Sequence, residues 1–208
     1  IRILGDLHAA PEGDVDDEVV LSALRALIPF AEEKGVTLLV ETNGVYSDTR
    51  RLSELLNQIP SDAVAALWDM HHTYRYGGES PEHTVQNLGA YIKYVHCKDS
   101  LEVDGQIRYM IMGEGDLPIN DFMRALQSIN YEGYVSLEWL KRYAPNLESP
   151  GIVFPQYANF MRQYTGVRSE PRRLYENHAK TGHYVWPKEQ LIDLTFPQVL
   201  DRMVEEFP

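Results

Sequence analysis

Residues 63–72 read AVAALWDMHH, an apolar run that ends at the acidic side chain of Asp69. A run of this kind, with polar residues directly after it, is typical of a parallel strand that is buried on both faces. Three other short apolar runs are also followed at once by a side chain that can bind a metal ion, and these side chains are Glu41, His96 and Glu138. The same arrangement of buried strand and terminal ligand therefore occurs four times along the chain.

Helical patterns separate the apolar runs. In the first of them Asp16, Asp17 and Glu18 suit the positive end of a helix dipole, and Gly35 provides a left-handed cap at the far end. The predicted core strands are residues 1–4, 36–40, 63–68, 91–95 and 134–137. Further helices are predicted over residues 49–59, 81–89, 119–129 and 154–164. Strands and helices that alternate with short loops indicate an α/β fold with a parallel sheet.

One pair of strands departs from this alternation. Asp104 and Gly105 lie between two short apolar-rich stretches, residues 101–103 and 107–109. A two-residue Asp-Gly connection is a strong signal for a tight β-hairpin.

Composition excludes several classes of protein. The 208 residues carry a net charge of −12, which argues against a general nucleic-acid binder because such a protein needs a basic face. No apolar run approaches the ~20 residues that span a bilayer, which argues against a membrane protein. The single cysteine, Cys97, excludes an internal disulfide framework and favours a reducing compartment such as the cytoplasm.

The sequence changes character near residue 165. Residues 1–165 hold the strand and helix patterns, whereas residues 166–208 begin as a polar, basic linker and end in an amphipathic stretch that predicts a small helix. The chain opens on a strand pattern without a methionine, so we expect it to be a piece of a longer polypeptide.

The four terminal ligands predict a metal site. The carboxyl ends of parallel strands share one face, and in a closed barrel they converge. Three carboxylates and one imidazole form a mostly oxygen site that suits one divalent ion such as Mn²⁺, Mg²⁺, Co²⁺ or Zn²⁺. A single acidic residue at a strand end is more often a helix cap, so this prediction depends on all four together.

The ordered segments around these residues resemble a known family. They are LVETN at 39–43, WDMHH at 68–72, VHCKD at 95–99, GEGD at 113–116 and SLEW at 136–139. In order and approximate spacing the chain is similar, over roughly residues 1–164, to the xylose-isomerase-like TIM-barrel superfamily of sugar and sugar phosphate isomerases and epimerases. The resemblance implies a TIM (β/α)8-type barrel.

The resemblance also implies roles for individual residues. It makes Glu41, Asp69, His96 and Glu138 the metal ligands, and it makes His72 a histidine that contacts the oxygens of the substrate. His71 is either its neighbour in the pocket or a packing residue. Lys98 falls, with Asp99, where the family often places a polar group that faces the substrate, and a structural ion pair with Asp99 or another loop carboxylate is the alternative.

Three further side chains are candidates for the substrate pocket. Arg75 is placed to bind a substrate phosphate or carboxylate, although a solvated loop arginine is the default interpretation. Trp68 and Trp139 flank ligands and either pack in the barrel or form an apolar wall against a sugar ring. Cys97 alternates with His96 on its strand and is expected to point away from the site.

The sequence departs from the family in the number of strands. A complete barrel takes ~250 residues, whereas only five core strands are clear here. The first strand matches the family's third, so the first two strands are expected to be missing, and residues 151–154 are the only candidate for the eighth. An incomplete barrel would leave an open sheet edge, which invites pairing with another chain or a second copy.

The tail carries a second resemblance. Residues 194–208, LTFPQVLDRMVEEFP, are similar to the opening of AMP-forming acyl-CoA synthetases. This similarity implies a fusion of the barrel with an adenylating domain, and a helix that packs on the barrel is the alternative.

These features predict a metal-dependent isomerase or epimerase of a keto-sugar, a sugar phosphate or a related polyol ketone. Glu41 and Glu138 come from opposite sides of the ring of strands, so one is placed to remove a proton and the other to return it. A dehydratase of an inosose or a dehydroshikimate uses the same site with a different outcome. A sugar-binding or scaffold module without catalysis is the third alternative. An abasic-site endonuclease of the same superfamily needs more histidines, for a zinc cluster, and a basic groove. The net charge of −12 argues against this class of enzyme.

Overall fold

A computed structural model of the chain describes residues 1–164. The predicted linker and tail helix, and the similarity to a synthetase, lie outside the described residues. Among the residues described, no helix is both long enough and apolar enough to cross a membrane.

A parallel sheet of five strands forms the centre of the described structure, as the alternating pattern predicted. Neighbouring strands follow one another in the order of the chain. The strands are β1 (Arg2–Ile3), β2 (Leu38–Glu41), β3 (Val64–Asp69), β4 (Ile92–Cys97) and β7 (Val135–Leu137). Since all are parallel, their carboxyl ends lie along one edge of the sheet. A complete barrel of this type has eight strands, so the described residues form five of them.

Helices connect the strands. They are α1 (Asp17–Lys34), α2 (Thr49–Leu56), α3 (Met70–Arg75), α4 (Pro81–Leu88), α5 (Ile119–Ser128) and α6 (Pro150–Met161). The predicted glycine cap of α1 is confirmed, because Gly35 is left-handed at φ 61°. At the other end of α1 the Asp16 carboxylate accepts from the backbone N–H of Glu18. The prediction of a strand over residues 151–154 is wrong, since those residues lie inside α6. Pro150 at the first helical position already favoured a helix there.

The predicted hairpin is a separate two-stranded sheet of β5 (Asp99–Val103) and β6 (Gln106–Met110). Asp104 and Gly105 both have positive φ, 53° and 72°, as a tight Asp-Gly hairpin turn requires. The hairpin follows directly after β4, so it stands at the carboxyl edge of the main sheet.

The core lies where the helices pack on the outer face of the sheet. Trp68 is fully buried and meets the ring of Phe122 from α5 edge-on, with the ring centroids 5.7 Å apart. Leu21 and Leu24 of α1 and Leu52 of α2 are also buried. Because side chains alternate along a strand, this packing turns the neighbour of Trp68, Asp69, toward the opposite face.

Candidate active site

The four predicted ligands meet at the carboxyl edge of the sheet. Glu41 ends β2, Asp69 ends β3, His96 lies in β4 and Glu138 follows β7 directly. One ligand atom of each lies within 4.8 Å of one from every other member. We call these four residues the ligand cluster.

The pairing register explains why the cluster forms. Asp69 lies opposite His96 across β3 and β4, which places these two side chains side by side. Nδ1 of His96 is 3.0 Å from Oε1 of Glu41 and 3.9 Å from Oε1 of Glu138. Glu41 and Asp69 are fully buried, whereas Glu138 is partly open to solvent. The cluster is therefore deep at one side and accessible at the other.

Lys98 places a buried cation inside the cluster. Its ammonium donates to Asp69 and to Oε2 of Glu138, the latter at 2.6 Å, and the side chain is 1% exposed. Burial opposes the charge, but these two carboxylates outweigh it and hold the pKa of Lys98 above its ordinary value. The sequence offered an ion pair with Asp99 or another loop carboxylate as one alternative for Lys98, whereas its ion pairs are with the two strand-end ligands Asp69 and Glu138.

Arg2 is a site residue that the sequence interpretation missed. Its Nε donates to Oε2 of Glu41 at 2.7 Å, and its Nη2 lies 3.1 Å from Oε1 of Glu138. The side chain is 41% exposed, so it covers the cluster from the open side. Its position in the sequence could have indicated this role. Arg2 lies between Ile1 and Ile3 in a strand, so its side chain points to the face opposite to theirs.

The donor set fits a divalent ion. Three carboxylates carry three negative charges, and Arg2 and Lys98 compensate two of them. Although burial raises the pKa of Glu41, hydrogen bonds from His96 and Arg2 lower it more, so this carboxylate is held in its charged form. Carboxylate oxygens with one imidazole nitrogen suit Mn²⁺, Mg²⁺, Co²⁺ or Zn²⁺. A cation that enters from the open side has to displace the guanidinium of Arg2.

His72 lies beside the cluster on α3. Its backbone N–H donates to Oδ1 of Asp69 at 3.1 Å, and its Nε2 is 3.6 Å from Oδ2 of the same carboxylate. The side chain is 5% exposed, and its Nδ1 has no hydrogen-bond partner among the described residues. Burial lowers the pKa of His72 more than the nearby carboxylates raise it. The ring is thus a neutral hydrogen-bonding group with a spare nitrogen.

His71 lies behind His72 in a packed environment. Its Nε2 is 3.0 Å from Oγ of Ser100, and its ring packs against those of Tyr76 and Tyr109. Burial and the nearby Lys98 lower the pKa of His71 to about 3, so it is neutral at physiological pH. This environment matches the packing interpretation of His71. One of its ring nitrogens also lies within 4.8 Å of a potential ligand atom of Asp69 and of His72.

Arg75 is neither solvated nor free for a substrate anion. Its side chain is 7% exposed, donates to the Ser100 backbone oxygen at 2.8 Å and pairs with Asp116 and Glu102. The guanidinium thus ties the β5–β6 hairpin to the loop that follows it. These carboxylates and the backbone use the donors of Arg75 in this structure, and a contact between Arg75 and a substrate stays a prediction.

The two tryptophans differ in burial and in their contacts. Trp68 is fully buried and donates from Nε1 to Oγ1 of Thr73 at 3.0 Å, an environment that favours the packing alternative. Trp139 is half-buried next to Glu138 and stays a candidate for the pocket wall. Cys97 points away from the cluster as expected, with its thiol 3.3 Å from the Tyr157 hydroxyl.

Known proteins resemble the chain in sequence. A family model described as xylose isomerase-like TIM barrel matches residues 3–163. An inosose dehydratase of Clostridium perfringens is 25% identical over 165 residues, which cover 71% of this chain and 53% of that protein. A fructoselysine 3-epimerase of Escherichia coli O157:H7 is 27% identical over 126 residues, 58% of this chain and 44% of that protein. The chain thus spans about half the length of these curated relatives.

Solved structures agree on the fold. The IOLI protein with a binding zinc atom superposes with a TM-score of 0.64 at 17% identity, over 81% of this chain and 63% of that one. A D-allulose 3-epimerase from Methylomonas sp. superposes with a TM-score of 0.65 at 15% identity, over 78% of this chain and 63% of that one. With the parallel sheet and the family match over most of its length, the chain belongs to the xylose isomerase-like TIM barrel family.

Proposed function

We propose that this chain is a divalent-metal-dependent isomerase or epimerase of a keto-sugar, a sugar phosphate or a related polyol ketone. The observation that carries the proposal is the convergence of Glu41, Asp69, His96 and Glu138 within 4.8 Å of one another. The relatives in the family act on small polyol or sugar substrates by their names, a dehydratase of inosose and an epimerase of fructoselysine.

The chemistry begins with a proton next to a carbonyl group. A bound divalent ion supplies Lewis acidity, which makes that proton easier to remove. Glu138 is the more accessible of the two glutamates and takes the proton. The electron pair of the broken C–H bond forms a carbon–carbon double bond while the π pair of the carbonyl group moves to its oxygen, which gives an enediolate. Because hydrogen bonds hold Glu41 in its charged form, Glu41 first takes a proton from solvent and then returns it from the other side, and Glu138 releases its own proton to solvent. Return to the opposite face of the same carbon gives the epimer. Return to the former carbonyl carbon, with the hydroxyl proton of the first carbon passing to the former carbonyl oxygen, gives the isomer.

The surrounding residues stabilise the charge that develops. His72 is neutral and buried beside Asp69, so its ring N–H is suited to donate a hydrogen bond to the forming oxyanion. Lys98 keeps Asp69 and Glu138 in place through a buried ammonium. Since Lys98 already serves two carboxylates, we assign it to positioning Glu138 in addition to any contact with substrate.

A dehydratase is the second candidate, and the match to inosose dehydratase over 71% of the chain favours it. The same proton removal gives an enolate. Its electron pair then forms a carbon–carbon double bond, and the β-hydroxyl leaves with a proton as water. The product is a conjugated enone, which absorbs ultraviolet light.

The two candidates are separated by one experiment in D2O. The full chain is incubated with Mn²⁺ and with ketoses or with an inosose, and proton NMR and ultraviolet absorbance are recorded together. An epimerase places solvent deuterium on the carbon next to the carbonyl without a new absorbance, whereas a dehydratase produces the enone. A chelator should stop either reaction. Failure of every substrate to exchange deuterium or form enone, with metal bound, would overturn both candidates and favour a binding module.

A further inference from the structure

Arg2 is the solvent-accessible cation of the ligand cluster. Of the two cations that contact the cluster within residues 1–164, Lys98 is buried and Arg2 is 41% exposed. Arg2 reaches two of the ligands, with Nε 2.7 Å from Oε2 of Glu41 and Nη2 3.1 Å from Oε1 of Glu138. Its third nitrogen, Nη1, makes no polar contact with the described residues. One side of the guanidinium is therefore already open to solvent.

A bound divalent ion releases more of this guanidinium. The ion needs a carboxylate oxygen from both Glu41 and Glu138, and these are the groups to which Arg2 is bound. Lys98 does not have to move, because it holds Oε2 of Glu138 and leaves Oε1. The backbone of Arg2 is fixed, since β1 pairs with β2 and Arg2 lies opposite Leu39. Arg2 then becomes a tethered cation beside the metal site, with donors that have lost their acceptors.

The charges of the loaded site leave one positive charge uncompensated. The three carboxylates of the ligand cluster carry three negative charges. Arg2, Lys98 and a divalent ion carry four positive ones, with His96 neutral as a metal ligand requires. The ion and the guanidinium repel each other unless an anion lies between them. A neutral sugar supplies no negative charge until a proton has been removed from it, whereas a carboxylate or a phosphate compensates the charge as soon as it binds.

The other arginine close to the site has its donors in use in this structure. Arg75 donates to Oγ and to the backbone oxygen of Ser100 at 3.0 and 2.8 Å, and it pairs with Asp116. A guanidinium with free donors matches the two oxygens of a carboxylate or a phosphate in a forked pair of hydrogen bonds. Arg2 offers such donors at the open side of the cluster.

We propose that Arg2 binds an oxyanion group of the substrate when a divalent ion occupies the ligand cluster, so that the natural substrate is a keto-sugar or polyol ketone that carries a carboxylate or a phosphate. This inference rests on the proposed function, since the ion has to be bound at the cluster. It selects the anionic members among the substrates that the cluster accepts, and it makes Arg2 a specificity-determining residue.

Small probes test the inference by calorimetric titration of the Mn²⁺-loaded full chain at constant ionic strength. Acetate and acetamide have nearly the same shape and differ in charge, and methyl phosphate represents the second kind of oxyanion. We expect the better of the two anions to bind at least about tenfold more tightly than acetamide, the effect of a hydrogen bond between charged groups. The tighter anion identifies the substrate as a sugar acid or as a sugar phosphate.

Variants assign the effect to Arg2. Arg2→Gln should lower the affinity for the better anion at least about tenfold. Arg2→Lys keeps the charge without the planar fork and should lower it by only about threefold, and this variant decides the matter if Arg2→Gln misfolds by circular dichroism. Arg25→Gln, at an exposed position of α1, should bind all three probes as the parent does.

The outcomes separate this inference from the proposed function. If Mn²⁺ binds and neither anion binds more tightly than acetamide, the inference about Arg2 is overturned and the proposed function stands. An unchanged anion affinity in Arg2→Gln also overturns it, because the anion is then held by the metal ion alone. If Glu41→Gln/Asp69→Asn takes up Mn²⁺ as well as the parent does, the ion is not held by the ligand cluster and both ideas are overturned.

Discussion

Nζ of Lys98 lies 2.6 Å from Oε2 of Glu138 and also donates to Asp69, so one buried ammonium joins two of the four predicted ligands. With the guanidinium of Arg2 on Glu41, this pair of cations balances most of the charge in the ligand cluster. The carboxylates are thus held together before a metal binds, and the incoming ion competes with Arg2 at the open side.

Replacing Lys98 by methionine removes the buried positive charge and keeps the approximate size and shape of the side chain. We expect the metal-free Lys98→Met variant to lose about 3 kcal/mol of unfolding free energy, because Asp69 and Glu138 then face each other without compensation. Mn²⁺ should restore part of this loss, since it supplies the missing positive charge. Urea denaturation with EDTA and with Mn²⁺ measures both values.

A surface lysine provides the control for this variant. Lys34→Met removes an exposed pair with Glu33 and should change the unfolding free energy by less than ~0.5 kcal/mol under either condition. A metal-free Lys98→Met variant as stable as the parent would show that Lys98 does not neutralise the cluster.

Glu138→Gln removes a proton acceptor while its size is kept. We expect the rate of deuterium exchange at the carbon next to the carbonyl to fall at least about a hundredfold, the usual contribution of a positioned acid or base. The rate is followed by NMR in D2O at saturating substrate and metal. Glu132→Gln, at an exposed position, should exchange at the parent rate, and an unchanged rate in Glu138→Gln would refute the two-base scheme.

The cluster could be predicted from sequence because it depends on strand ends. Asp69 and His96 each lie at the carboxyl end of a recognisable apolar strand, and parallel pairing is enough to bring such positions together. Whether Trp68 faces the helices or the pocket is harder to predict from sequence. The answer depends on knowing that its neighbour Asp69 faces the pocket. The alternation of side chains settles both residues at once.

The internal cations could not be predicted, since their partners are distant in sequence. Lys98 meets Asp69 and Glu138, 29 and 40 residues away, and Arg2 meets Glu41, 39 residues away. A long flexible side chain reaches several partners, so only the assembled edge of the sheet selects among them. For the same reason Arg75 reads as a loop arginine in sequence but is buried in a network.

The buried side chain of Tyr46 should make the free energy of unfolding depend on pH in the alkaline range. The side chain is fully buried and its hydroxyl donates to Asp17 at 2.9 Å; burial, reinforced by this bond, raises the pKa of Tyr46 above its ordinary value of 10. Above about pH 10 the unfolded chain releases this proton and the folded chain keeps it. The unfolded state then binds fewer protons, so stability falls as pH rises.

Tyr46→Phe tests this dependence. At pH 7 the variant should lose about 1–2 kcal/mol of unfolding free energy with the hydrogen bond to a charged acceptor. The difference from the parent should shrink between about pH 9 and pH 11, because phenylalanine has no proton to release. Tyr143→Phe, on a ring that is 79% exposed, is the control and should match the parent. A difference that grows with pH would contradict the prediction.

Asp99 organises the loop after the hairpin. Its carboxylate is 1% exposed and accepts from the backbone N–H groups of Ser100, Gly113 and Gly115 at 2.8, 2.9 and 3.0 Å. We expect Asp99→Ala to lower the unfolding free energy by about 2 kcal/mol, because these three amide groups and that of Leu117, at 3.4 Å, lose their acceptor. Urea denaturation measures this loss.

Two results separate this role of Asp99 from a general loss of surface charge. Amide hydrogen exchange at Gly113 and Gly115 should accelerate in Asp99→Ala. Asp62→Ala, at an exposed position, should change neither stability nor this exchange. If both variants behave alike, Asp99 does not hold the loop.

Anomalous diffraction from a crystal of the Mn²⁺-loaded chain tests the metal site most directly. We predict one strong peak about 2.0–2.3 Å from oxygens of Glu41, Asp69 and Glu138 and from a ring nitrogen of His96, with Arg2 moved away from Glu41. Density in which Arg2 and Lys98 keep their contacts and manganese lies only elsewhere on the protein would contradict the account.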